Sequence, residues 1–77
     1  MKNNTVRILN SDKTEAFVLK SGEMLTLHYS NGQKHTDKVT YIDNTHFLFG
    51  FKGWDIYKFA DFCKKHSIRV EKGENAA

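Results

Sequence analysis

Six cationic or imidazole side chains crowd the stretch from Lys58 to Lys72: Lys58, Lys64, Lys65, His66, Arg69 and Lys72, with the rings of Trp54 and Tyr57 beside them. Cations neutralise phosphates and aromatic faces stack on bases, so the combination suits single-stranded nucleic acid. On this reading Lys58, Lys64, Lys65 and Arg69 hold phosphates. His66 contacts a base or phosphate, and Trp54 or Tyr57 stacks. The competing reading is a solvated helix face, because Asp55 and Asp61 interrupt the basic run.

Other chemistries find fewer residues. Cys63 and His66 stand three apart, and His28 and His35 lie near one another across a hairpin. Zinc needs four ligands converging tetrahedrally, usually from tight paired spacings, and only one such pair exists here. The expectation is a buried core thiol and surface histidines, with no metal and no cofactor. A cysteine nucleophile needs a low-pKa thiolate and an oriented base. Cys63 shares a helical face with Ile56, Phe59 and Ala60, which raises its pKa. No glycine-rich phosphate loop or paired-carboxylate motif is visible, so the chain reads as a binding protein rather than an enzyme.

The elements that must position the basic residues are short. Thr5 to Leu9 and Glu15 to Lys20 read as strands separated by the turn-forming Asn10-Ser11-Asp12. Glu23 to Ser30 alternates, with Leu25, Leu27 and Tyr29 inward and Thr26, His28 and Ser30 outward. A two-residue loop at Asn31-Gly32 would put Val39 and Tyr41 on the wrong face. A three-residue loop, Ser30-Asn31-Gly32 with Gly32 in a left-handed bulge, restores parity. Val39 to Ile42 leads to Asp43-Asn44, and Thr45 to Phe51 forms a fifth strand with Phe47, Phe49 and Phe51 on one face.

The period then changes. From Trp54 to His66 the apolar residues Ile56, Phe59, Ala60 and Cys63 fall at helical spacing, with Trp54 and Tyr57 on the polar side. Asp55 near the start and Lys64, Lys65 and His66 near the end complement the helix dipole. Asp61 and Lys65 form an i,i+4 pair. Ile68 to Glu71 reads as a last strand that could close against Val6 to Leu9. The fold class is mainly β (α+β): a small, bent, antiparallel, SH3/Sm-like barrel of about five strands with one C-terminal helix and a short closing strand. A flat sheet carrying one helix is the alternative.

Seventy-seven residues allow one domain, read here as 1–72 with a flexible tail over 73–77. With a single cysteine there is no intramolecular disulfide, so ten aromatics must carry the core, each burying about 150–250 Å². The lone thiol and the polar start suggest a cytoplasmic protein without a membrane span. A net charge of +3 and a pI near 9.1 permit nucleic-acid or acidic partners.

Leu25, Leu27, Asn31-Gly32, Val39, Asp43 and Leu48 follow the order of the first motif of the Sm-like family, and this stretch resembles it over about a third of the chain. Lys65-His66-Ser67-Ile68 is similar to the second motif of the bacterial RNA-chaperone branch. There a Lys-His pair lines a uridine-binding pore in a hexameric ring. The resemblance implies a small barrel, RNA binding through Lys65 and His66, and self-association. Asp37 stands where the family has a second glycine, and Thr45 where it has a stacking aromatic. The segment from Trp54 to Cys63 also looks like small accessory proteins of phages and mobile elements that dock on a partner protein. That second reading makes Trp54, Tyr57, Phe51 and Phe62 the docking anchors, since interface hot spots favour rings.

Overall fold

The computed structural model describes residues 4–73. The chain runs β1 (Thr5–Leu9), β2 (Glu15–Lys20), β3 (Met24–His28), β4 (Lys34–Asp43), β5 (His46–Phe49), β6 (Lys52–Asp55), α1 (Ile56–Lys65) and β7 (Arg69–Lys72). β1 and β2 form a two-stranded antiparallel hairpin. The other five strands make one antiparallel sheet in the order β6-β5-β4-β3-β7.

The β3–β4 loop decides the core. Leu27 faces His35 and Leu25 faces Asp37, and Tyr29 N donates to Gln33 O at 2.8 Å, so three residues separate the paired positions. Gly32 sits at φ 90°, the left-handed position that the bulge requires. Leu25, Leu27 and Val39 are consequently all buried on the same face, as the parity argument from sequence expects.

One core holds both sheets and the helix. The hairpin contributes Val6, Ile8 and Leu19, and the sheet contributes Leu25, Leu27, Val39 and Phe47. The helix adds Ile56, Phe59, Ala60 and Cys63. Phe59 is the hub of the ring packing, with Trp54 at 5.1 Å, Phe47 at 5.2 Å and Phe49 at 6.2 Å between centroids. Contacts at these separations and tilts add to what area burial supplies.

Three expectations are corrected. β7 does not close against Val6 to Leu9. It pairs with β3, Val70 opposite Leu27 and Lys72 opposite Leu25, and no closed barrel forms among the described residues. The physical reason is the helix: α1 packs beside β1 on the core face, so the hairpin meets the sheet through side chains instead of extending it. Second, the strand read over Thr45 to Phe51 ends at Phe49. Gly50 at φ 63° is the first central residue of a two-residue hairpin loop, which fits a type II′ turn and returns the chain as β6. Phe51 therefore stands fully exposed at the loop tip, as the docking reading requires of it, instead of sharing a face with Phe47 and Phe49. Third, Gly73 is not frayed, since its N–H donates to Met24 O at 2.9 Å; residues 74–77 of the tail lie outside the described residues.

Candidate nucleic-acid interface

The helix that carries most of the candidate residues is bounded by side-chain chemistry. Asp55, in extended conformation, is the N-cap: its Oδ1 accepts from Tyr57 N at 2.8 Å and from Lys58 N at 3.2 Å. At the other end Ser67 N donates to Lys64 O and Ile68 N to Cys63 O, the paired bonds of a Schellman motif. Ser67 takes the left-handed position at φ 54°, where glycine is usual. Lys64 and Lys65 sit in the last turn, favourably placed at the negative end of the dipole.

Helical geometry sorts the candidates into two stripes. Lys58, Phe62, Lys65 and His66 fall at i, i+4, i+7 and i+8, one face of the helix. Tyr57, Asp61 and Lys64 fall at i, i+4 and i+7 on the adjoining face. Asp61 accepts from Lys13 Nζ of the β1–β2 loop at 2.6 Å, so the expected partner Lys65 is replaced by a cation from another element. That loop is itself ordered by Asp12, whose carboxyl accepts from the Thr14 hydroxyl and Thr14 N and is held below its usual range by them.

Trp54 is not on the helix. It lies in β6, half-buried, with its ring 5.0 Å from Phe62 and 5.1 Å from Phe59. Lys52 Nζ sits 4.6 Å from the ring centroid, a cation–π contact. Trp54 is thus engaged by its own chain, and its expected place on the polar side of the helix is corrected. Phe62 continues the ladder to His66 at 4.7 Å. Sequence reasoning treated Phe62 as a docking anchor but left it off the nucleic-acid face. Its i+4 spacing from Lys58 was the signal that could have placed it there.

Arg69 lies past the helix, exposed at the start of edge strand β7. It borders a cleft of about 430 Å³ shared with Lys64. Cys63 closes part of the cleft wall, and burial pushes its thiol up to about 11. The histidines scatter. His28 shares its sheet face with Lys34 and bonds Glu71 at 2.6 Å, whereas His35 lies on the opposite face, edge-on to Phe49 at 5.4 Å. Among the described residues no group of three or more His, Cys, Asp or Glu side chains could hold a metal ion, and no helix is long and apolar enough to cross a membrane.

The outer face of the five-stranded sheet is also basic and was not singled out from sequence. Lys34, His28 and Arg69 surround Glu71, and the buried Thr26 hydroxyl bonds that of Thr36 at 2.7 Å. Glu71 is held below its usual range, first by its hydrogen bond with His28 and then by the nearby cations.

Together these elements define a small β-rich domain with one helix, an architecture that by itself specifies no activity. No protein-family model, no curated protein and no solved structure matches this chain.

Proposed function

We propose that this chain is a non-enzymatic, cytoplasmic protein that binds single-stranded RNA or DNA on the stripe of Lys58, Phe62, Lys65 and His66. Lys64 and Arg69 extend the phosphate path toward the cleft, and the exposed ring of Tyr57 offers a further stacking face. The carrying observation is the ladder from Trp54 through Phe62 to His66, with steps of 5.0 and 4.7 Å, flanked by two exposed lysines of the same stripe. A supported ring beside cations meets both needs of a single strand, stacking and charge neutralisation. Trp54 acts here as the support beneath Phe62.

The test is a titration with a short U-rich single strand, following backbone amide shifts at low and then moderate salt. Shifts are expected along residues 57–69 and fade as salt rises. The double change Lys58→Ala and Lys65→Ala should weaken binding about tenfold and lower the salt slope by about 1.4, roughly 0.7 per phosphate contact. Unchanged affinity in that variant at low salt would count against the reading.

A second reading rests on Phe51. Its full exposure at the tip of the β5–β6 hairpin is unusual for so large an apolar ring, and such a ring is a natural anchor for a protein partner. Under that reading binding is salt-insensitive and lost on Phe51→Ser, while the oligonucleotide titration is unchanged.

A further inference from the structure

The cleft of about 430 Å³ lies between the β1–β2 hairpin, the end of α1 and β7, and it falls within the 300–1,000 Å³ range of small-ligand sites. Its apolar floor includes Leu9, Phe17, Ile68 and Val70. Its polar rim offers two cations, Lys64 and Arg69, and the hydroxyls of Ser11 and Ser67. No carboxylate lines it. Neither Lys64 nor Arg69 has a carboxylate within ion-pair distance among the described residues, although Arg69 contributes to the field that lowers Glu71. An apolar floor under a cationic rim that no carboxylate lines is complementary to a ligand with a flat apolar body and an anionic head.

The backbone of β7 adds a hydrogen-bonding edge. Gly73 N donates to Met24 O, so Met24 and Gly73 form a hydrogen-bonded pair, and alternation makes Thr26–Glu71 and His28–Arg69 the next bonded pairs. The N–H and C=O of Val70 then point away from β3, to an edge that no other strand occupies among the described residues. A nucleobase carries a donor beside an acceptor, the pattern that this N–H and C=O complement.

We infer that this cleft is a nucleotide pocket, in which one base of a bound strand lies on the Phe17 and Val70 floor while its phosphate meets Lys64 and Arg69. The inference rests on the proposed nucleic-acid reading and gives the strand a definite seat beyond the helix stripe. Free mononucleotides share the same chemistry and would occupy the same place.

The experiment titrates the whole chain, under amide-shift detection, with adenosine and cytidine 5′-monophosphates, the parent nucleosides, inorganic phosphate and a short single strand. The expected result is mononucleotide shifts at Ser11, Ala16, Ser67 and Val70, with nucleosides and phosphate each about tenfold weaker. Arg69→Ala should cost about tenfold, the order expected for one charge-assisted contact. Ala16→Phe, which fills the cleft from a half-buried position, should abolish the cleft shifts while leaving the helix-stripe shifts given by the single strand. If the single strand shifts residues 57–66 but neither ligand reaches the cleft, the pocket is overturned and the stripe stands. Equal shifts with phosphate alone would also overturn it, leaving an anion site without base recognition. If nothing shifts anywhere, both readings fall together.

Discussion

The helix stripe and the outer sheet face carry similar numbers of cations and differ in what surrounds them. On the sheet, Lys34, His28 and Arg69 gather round Glu71, so the positive field is partly cancelled where it is densest, and the neighbours are threonines. On the helix, the acidic residue within reach, Asp61, faces the adjoining stripe and is neutralised by Lys13. Lys58 and Lys65 are left beside supported rings. Charge counted along a chain therefore does not distinguish the two faces; the placement of counter-ions and rings does.

Breaking the helix face from beneath should give the largest effect. Phe59 is 2 % exposed and touches the rings of Trp54, Phe47 and Phe49, so Phe59→Ala should cost about 3–5 kcal/mol in a denaturant melt. A loss under about 1 kcal/mol would mean the aromatic cluster is not the hub described. The contrast between faces is tested next. Lys38 alternates onto the same outer face as Thr36 and Lys34, and Lys34→Ala with Lys38→Ala should change single-strand affinity less than about twofold, against the tenfold expected for Lys58→Ala with Lys65→Ala. Equal losses would erase the distinction and assign binding to net charge alone.

Asp55→Ala removes the two cap bonds that start the stripe and should destabilise the fold by about 1 kcal/mol, read by thermal or denaturant melting. The smallest effect belongs to the sheet face and depends on pH. Because Glu71 is held below its usual range, it binds its proton less readily folded than unfolded. Its contribution is complete above the ordinary glutamate range and fades as pH falls through the lowered folded value. Glu71→Gln should flatten that part of the acid limb of a stability–pH curve while leaving single-strand binding unchanged.

Local and periodic signals carried much of the fold. The parity of Leu25, Leu27, Val39 and Tyr41 required a bulged loop at Gly32, since a one-residue slip would have turned the apolar set to solvent. The switch from period two to helical period placed Ile56, Phe59, Ala60 and Cys63 on one buried face. The misread positions are those where the decisive partner is distant or the backbone changes hand. Alternation put Phe51 on the face of Phe47 and Phe49 because the run of phenylalanines continues the period past Gly50, where the chain reverses. Trp54 matched the start of a helix pattern because β6 is only four residues long and abuts the helix directly.

The candidate site divides along the same line. Lys58, Lys64, Lys65 and His66 were legible as cations at helical spacing, because that spacing is a property of neighbouring residues. Their separation into two stripes, one tied to Lys13 and one lined by rings, depended on contacts across 48 positions in the chain. The same is true of the cleft, whose walls come from the β1–β2 hairpin, the helix end and β7. The sequence by itself determined strand parity, the amphipathic helix and the basic C-terminal third, since each rests on local period and side-chain chemistry. Only the tertiary structure decided that β7 joins β3, that Trp54 supports Phe62 and that Lys64 and Arg69 share a cleft, since each depends on which distant surfaces compete for the same core.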